Sequence, residues 1–179
     1  SLIIQAGVWK FIIDKDYGAL NTLLMKIGLI SSPVNWTPTP QAYFAWEIFV
    51  GIFVTVPFVT FCVLSGLQSI DNSYYEAATV DGANYWQKLF KITLPLVKSS
   101  LTVSTVLNII YVFNSFPIIW TITKGDPASR TDTLVTYLYK LAFYKGKSGE
   151  AAAVSVIGFL ILCLCASIYM VVSLRKEEE

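Results

Sequence analysis

Three long apolar runs, separated by mixed polar segments, set the architecture of this chain. Ala42 to Leu67 carries one charged side chain, Glu47; Leu96 to Ile122 carries only Lys98; Ala151 to Leu174 carries none. About 20 apolar residues cross the hydrocarbon core of a bilayer, so each run predicts a transmembrane helix. Residues 1–13 read as the end of another membrane helix, with Trp9 and Lys10 as interfacial anchors. The start at Ser1, with neither Met nor a charged flank, is expected for a C-terminal fragment of a longer protein. Within the first full run, Glu47 stands near the Pro40 end beside Trp46 and reads as an interfacial carboxylate. Pro57, mid-run, predicts a kink.

The segments between the runs carry turn and surface-helix signals. Residues 14–41 open on the turn Asp14 to Gly18. A helix over Ala19 to Ile30 follows, with an apolar stripe at Leu20, Leu23, Leu24 and Ile27. That spacing predicts a helix lying on the membrane surface or on the bundle. Pro33, Pro38 and Pro40 then mark loop, and the sequon Asn35-Trp36-Thr37 is too short a pattern to carry weight. Residues 123–150 form a second loop with a short amphipathic helix over Leu134 to Phe143. Gly146-Lys147-Ser148 imitates the tail of a phosphate-binding loop, but Leu141 stands where the first Gly is needed and no strand pattern precedes it.

Composition narrows the class. The 179 residues are 55% hydrophobic and 14% charged, against roughly 25% charged in soluble domains. A net charge of +1 and the lack of any Lys/Arg run exclude a nucleic-acid surface. There is no His, and Cys62, Cys163 and Cys165 all lie in apolar runs. Neither a metal site, a catalytic residue nor a disulfide framework is indicated.

The most informative polar stretch runs from Ser73 to Pro95. Ser73 and Glu76 have the spacing of a capping box at a short helix, and Gly82 suits the left-handed turn that ends it. A second short helix, about Ala83 to Lys91, should follow, with Pro95 opening the next long one. Tyr85, Trp86, Phe90 and Leu94 are placed to anchor this knob to the bundle. Glu76-Ala77-Ala78, three residues ending in Asp81, Gly82, nine residues, then Ile92-x-Leu94-Pro95 resembles the EAA loop of ABC-importer permeases. The resemblance implies a cytoplasmic loop over residues 71–95 that docks into a groove on an ATPase subunit, through Glu76, Ala77, Ala78, Asp81, Gly82, Ile92, Leu94 and Pro95. The run Asp16-Tyr17-Gly18-x-x-Asn21, with Trp36 later, resembles the outer loop of sugar permeases. So do Phe113 to Phe116 and Thr131 to Tyr139, although Gly125-Asp126-Pro127 stands where the carbohydrate branch usually has Gly-Gly-Pro.

Polar residues in the runs fall on faces. Ser104, Asn108, Tyr111 and Ser115 lie within about 60° of helical arc, flanked by Asn114. Gly51, Thr55, Phe58 and Cys62 share a face of the first full run. Polar side chains in lipid are costly unless they meet protein or water. Both faces are therefore candidates for a substrate pathway or for interhelical packing. Ala151, Ser155 and Gly158 give the last run a small-residue edge for close helix approach.

The expected fold is an all-α membrane protein: a partial importer-permease bundle of three complete transmembrane helices plus the end of a fourth. The resemblance implies cytoplasmic ATPase subunits that bind ATP and Mg, a second homologous permease subunit, and an extracellular or periplasmic solute-binding protein. It also implies a sugar substrate and a place in the bacterial inner membrane, with no cofactor on this chain. Charge counting gives five Lys/Arg on the side of the 71–95 loop and eight opposite, which would put that loop outside; the resemblance puts it inside. The alternatives are a permease for a non-sugar solute and an ATP-independent pore or carrier. Absence of ionisable pairs at mid-span disfavours ion coupling.

Overall fold

The computed structural model describes residues 1–175, with side chains to Ser173; the glutamates 177–179, expected as a solvated tail, lie outside the described residues. All regular elements among these are helical. The chain divides into two compact units, Ser1–Val54 with Val112–Ile161, and Thr55–Tyr111 with the chain from Leu162.

In the first unit α1 (Leu2–Ile12) packs on α8 (Phe116–Ile122). Ala6, Val50, Ile118 and Ile122 form the core there, with Trp9, Tyr43 and Val54 against it. Trp9 meets Phe49 and Phe53 edge-on at 5.0 and 5.1 Å. Lys10 donates from Nζ to the carbonyl of Thr121 at 3.1 Å, placing a cation on the last turn of α8. The second element, α2 (Ala19–Lys26), is shorter than the sequence suggests, because Gly28 turns to φ +74° and ends it. Its leucine stripe does not seat it either. Leu23 is 57% exposed, and the buried residue is Asn21.

The first full span, α3 (Pro40–Gln68), runs unbroken through Pro57. The last, α10 (Ser148–Arg175), begins after a turn at Gly146, φ +64°. Only 6% and 11% of their most apolar windows are buried, so their side chains are left for lipid or partner helices. The middle run departs from expectation. It forms α7 (Lys98–Phe113), breaks at Asn114 and Ser115, and resumes as α8. Pro117 in the first turn of α8 explains the break, since it has no N–H to bond back and its ring clashes with the preceding turn. The middle run reaches spanning length only when α7 is joined to the helical segment Tyr85–Leu96, from which it is bent by 61°. The 123–150 loop contains α9 (Leu134–Tyr139), which continues as a π-helical turn, Lys140–Tyr144.

Glycines mark two close approaches. A Cβ at Gly158 of α10 would lie 2.6 Å from Leu134 Cδ2 and 3.5 Å from Phe113, within the first unit. In the second unit a Cβ at Gly66 of α3 would lie 2.7 Å from Ser100 Oγ. The hydroxyls of Thr102 and Ser173 share a hydrogen bond between α7 and α10.

Candidate coupling loop and polar pathway

The polar knob begins with α4 (Asn72–Val80). Its N-cap is Asp71, not Ser73: the Asp71 carboxylate accepts from the Ser73 N–H at 2.8 Å. A carboxylate is a strong acceptor for the orphan N–H groups of a first turn. With the helix starting at Asn72, Glu76 falls in the second turn and cannot reach back to complete a box. The Ser73 N–H, and after it the hydroxyl, hold the Asp71 carboxyl below the usual carboxylate range. At the other end Gly82 takes φ +75°. The Ala83 N–H donates to the carbonyl of Ala78 at 2.9 Å and the Gly82 N–H to that of Thr79 at 3.0 Å. This paired closure needs a left-handed residue at Gly82. Ala78 is buried, while Glu76, Ala77 and Asp81 are exposed along α4.

The capping box lies one element later. Asn84 caps α5 (Tyr85–Lys88), exchanging bonds with Gln87 at 2.8 and 2.9 Å. The expected helix to Lys91 is a single α-turn followed by a π-helical turn, Leu89–Thr93, and then α6 (Leu94–Leu96). Pro95 therefore sits inside α6, and the long helix opens at Lys98, after Val97. Since Pro95 offers no N–H to the turn before it, the wider turn sits where regular α pairing fails. Thr93 bridges this region, donating to the Lys88 carbonyl at 3.3 Å and sharing a 3.0 Å bond with the Tyr75 hydroxyl of α4. Lys88 Nζ donates to Thr79 Oγ1 at 2.7 Å. These contacts fix α4 against the segment that follows it. Ile92 is half-buried, whereas Leu94 and Pro95 are exposed. The aromatics do not anchor the knob: Tyr85, Trp86 and Phe90 are 70%, 63% and 60% exposed.

The polar stripe of α7 divides by its bonding. Ser104 is buried and donates to its own helix at the Leu101 carbonyl, 2.9 Å. The Asn108 amide donates to the Ser104 carbonyl at 2.9 Å. Tyr111 is 38% exposed and its hydroxyl meets no hydrogen-bonding group among the described residues. Asn114 and Ser115 lie at the helix break, with Ser115 as N-cap of α8, so they do not continue the stripe. In α3, Gly51 and Thr55 are half-buried, and a Cβ at Gly51 would meet nothing within 4 Å.

Glu47 is where sequence reasoning missed most. It is 5% exposed, buried within the protein, and its Oε1 accepts from Thr123 Oγ1 at 2.6 Å. Its second oxygen has no partner among the described residues. The single Thr123 hydrogen goes to Glu47, its oxygen accepts from the Gly125 N–H at 3.0 Å, and Thr131 Oγ1, which donates to the Asp126 carbonyl at 3.0 Å, lies 2.9 Å away. Lys140 pairs with Asp132 at 3.0 Å beside the same turn, where a Cβ at Gly125 would overlap the Asp132 carboxylate. Nearby, Lys10, Asp14, Asn35, Tyr43, Thr123 and Asp126 line a cleft of about 440 Å³. No cluster of metal-ligating side chains exists among the described residues.

Long apolar helices with little burial, linked by an exposed and tightly capped polar knob, define an integral membrane protein. The chain belongs to the family described as "binding-protein-dependent transport system inner membrane component", which matches residues 6–177. It is 48% identical over 179 residues to a probable ABC transporter permease protein of Brucella suis biovar 1, covering 100% of this chain and 62% of that one. It is 35% identical over 176 residues to the trehalose/maltose transport system permease protein of Thermococcus litoralis, covering 98% of this chain and 59% of that one. The crystal structure of a bacterial alginate ABC transporter, in complex with an alginate pentasaccharide-bound periplasmic protein, matches with a TM-score of 0.84. The identity there is 25%, over 99% of this chain and 61% of the other. The chain thus spans about three fifths of the length of these relatives.

Proposed function

We propose that the chain is part of the membrane-spanning subunit of an ATP-driven sugar importer, and that residues 76–95 couple it to a cytoplasmic ATPase. The observation that carries this is the form of the knob. The α4 face bearing Glu76 and Ala77 is exposed and slim, while its two ends are fixed by Asp71 and by the turn at Gly82. A short rigid helix fixed at both ends can pass a displacement on to the helices it joins; a floppy linker cannot. Sugar as the solute is supported by relatives named for trehalose/maltose and for alginate. Neutral hydroxyl and amide groups on α7 beside Tyr111 suit the hydroxyl donors and acceptors of a carbohydrate. The partners would be two ATPase subunits holding ATP and Mg, a second homologous permease subunit and a solute-binding protein.

The test uses the full-length subunit, co-expressed with its ATPase and partner permease in proteoliposomes. Ala77→Trp fills the exposed face of α4 without touching its caps. Binding-protein-stimulated ATP hydrolysis should be lost while the complex still assembles. Stimulation at the native level would refute the coupling role, and sugar flux without ATP would replace the importer by a pore or carrier.

A further inference from the structure

The helical segment Tyr85–Leu96 has an outer face on which Trp86 and Phe90 are not among the individual residues that the resemblance assigns to coupling, while the third member, Leu94, is. Trp86, Phe90 and Leu94 recur every four residues, and the rings of Trp86 and Phe90 stack at 6.2 Å, so they share that face. All three are exposed, and Tyr85 lies edge-on to Trp86 at 5.5 Å. Exposed apolar residues continue along the chain at Leu96 of α6 and at Val103 and Leu107 of α7. The segment is bent by 61° from α7, so the two are far from collinear. Charge completes the pattern. Lys88, Lys91 and Lys98 are the only ionisable chain groups besides Tyr85 and Tyr111 between Gly82 and Ile122, and no Asp or Glu occurs there.

We infer that Trp86, Phe90 and Leu94 form an interfacial foot, seated at the headgroup–acyl boundary of an anionic leaflet, where the coupling loop re-enters the membrane. Aromatic rings favour that boundary. A helix with an apolar face and a purely basic polar complement lies in its plane, drawn to anionic lipid. The occupant of this face is thus a lipid surface rather than a protein groove. The foot would hold the base of the knob at constant depth while α4 stays free for its partner. This rests on the membrane placement of α7, not on coupling to an ATPase.

The experiment reads Trp86 as the difference in fluorescence between the native full-length subunit and Trp86→Phe. Both are reconstituted without ATPase in vesicles of phosphatidylcholine and phosphatidylglycerol. The Trp86 component should be blue-shifted, quenched by lipids brominated high on the acyl chain, and untouched by aqueous iodide. Lys91→Glu should weaken the bromolipid quenching. Iodide quenching of Trp86 in these vesicles would overturn the inference. Shielding that arises only when ATPase is added would overturn it too, and assign the face to the ATPase groove. Because the readout needs no ATPase, a failed coupling test and a failed foot remain separable.

Discussion

Replacing Thr123 by Val deletes one hydroxyl and keeps the shape of the side chain, which isolates the polar network below α8. The loss has two main parts. The bond to the buried Glu47 carboxyl, 2.6 Å long, is worth about 0.5–1.5 kcal/mol as an ordinary side-chain hydrogen bond. The Gly125 N–H, now without the acceptor it had at 3.0 Å, adds about 1–3 kcal/mol if it stays buried. Some relaxation toward water is available in the neighbouring cleft, so about 2 kcal/mol overall is the expected local cost. At about 1.4 kcal/mol per decade, that raises the opening equilibrium of the 123–136 turn about 30-fold. Amide hydrogen exchange on the full-length protein reads this as faster exchange at Gly125 and Thr131 to Thr136, with α3 unchanged. Glu47→Gln keeps an acceptor oxygen for Thr123 and should cost less. In the cycle of Thr123→Val with Glu47→Ala the two effects should not add, because both break the same bond. Unchanged exchange in Thr123→Val, or strict additivity, would refute the claim that Glu47 holds this loop through Thr123.

Gly158→Leu should destabilise by about 1–3 kcal/mol through overpacking, since a Cβ there already lies 2.6 Å from Leu134. Adding Leu134→Ala should restore part of the lost thermal midpoint. Asn21→Ala removes four hydrogen bonds, to Lys15, Val34 (two) and Trp36. At about 1 kcal/mol each, less for partial rehydration, a loss of roughly 2–4 kcal/mol should make residues 31–37 sensitive to limited proteolysis. The Asp71 carboxyl is held below its ordinary range in the folded chain. Its cap is therefore fully present above the ordinary carboxylate pKa and is lost as pH falls through the depressed value. Exchange at the start of α4 should rise only in that acidic window, and Asp71→Ala should remove the pH dependence.

Length and apolarity made α3 and α10 legible in the sequence, because few structures other than a membrane helix tolerate such runs. Gly82 was legible for a local reason: only a left-handed residue closes α4 in that way. Local spacing misled at Ser73, where a capping-box match to Glu76 hid the stronger acceptor two residues upstream. It misled again in α2, where a leucine stripe drew attention from Asn21, the residue that is buried. Pro117 broke the middle run because one backbone constraint outweighs any apolar average. Glu47 could not be placed from its neighbours, since its partner Thr123 is 76 positions away. Only the fold brings such a pair together.

The same accounting of bonds ranks the candidate pathway residues. A polar group in a membrane helix is costly unless something satisfies it. Ser104 is buried and spends its hydroxyl on its own helix at Leu101, so it has no donor to offer a sugar. Asn108 uses its amide nitrogen in the same way but keeps an oxygen. Tyr111 is partly exposed, and its hydroxyl meets no group among the described residues. If the stripe served packing alone, its least satisfied members would gain from becoming apolar. If it faces a sugar, those members carry the contacts. In reconstituted uptake, Tyr111→Phe and Asn108→Leu should each raise KM for transport, by about tenfold for the loss of one such hydrogen bond. Ser104→Ala should leave KM within about twofold. The reverse order, with Ser104 critical and Tyr111 silent, would return α7 to a purely structural role.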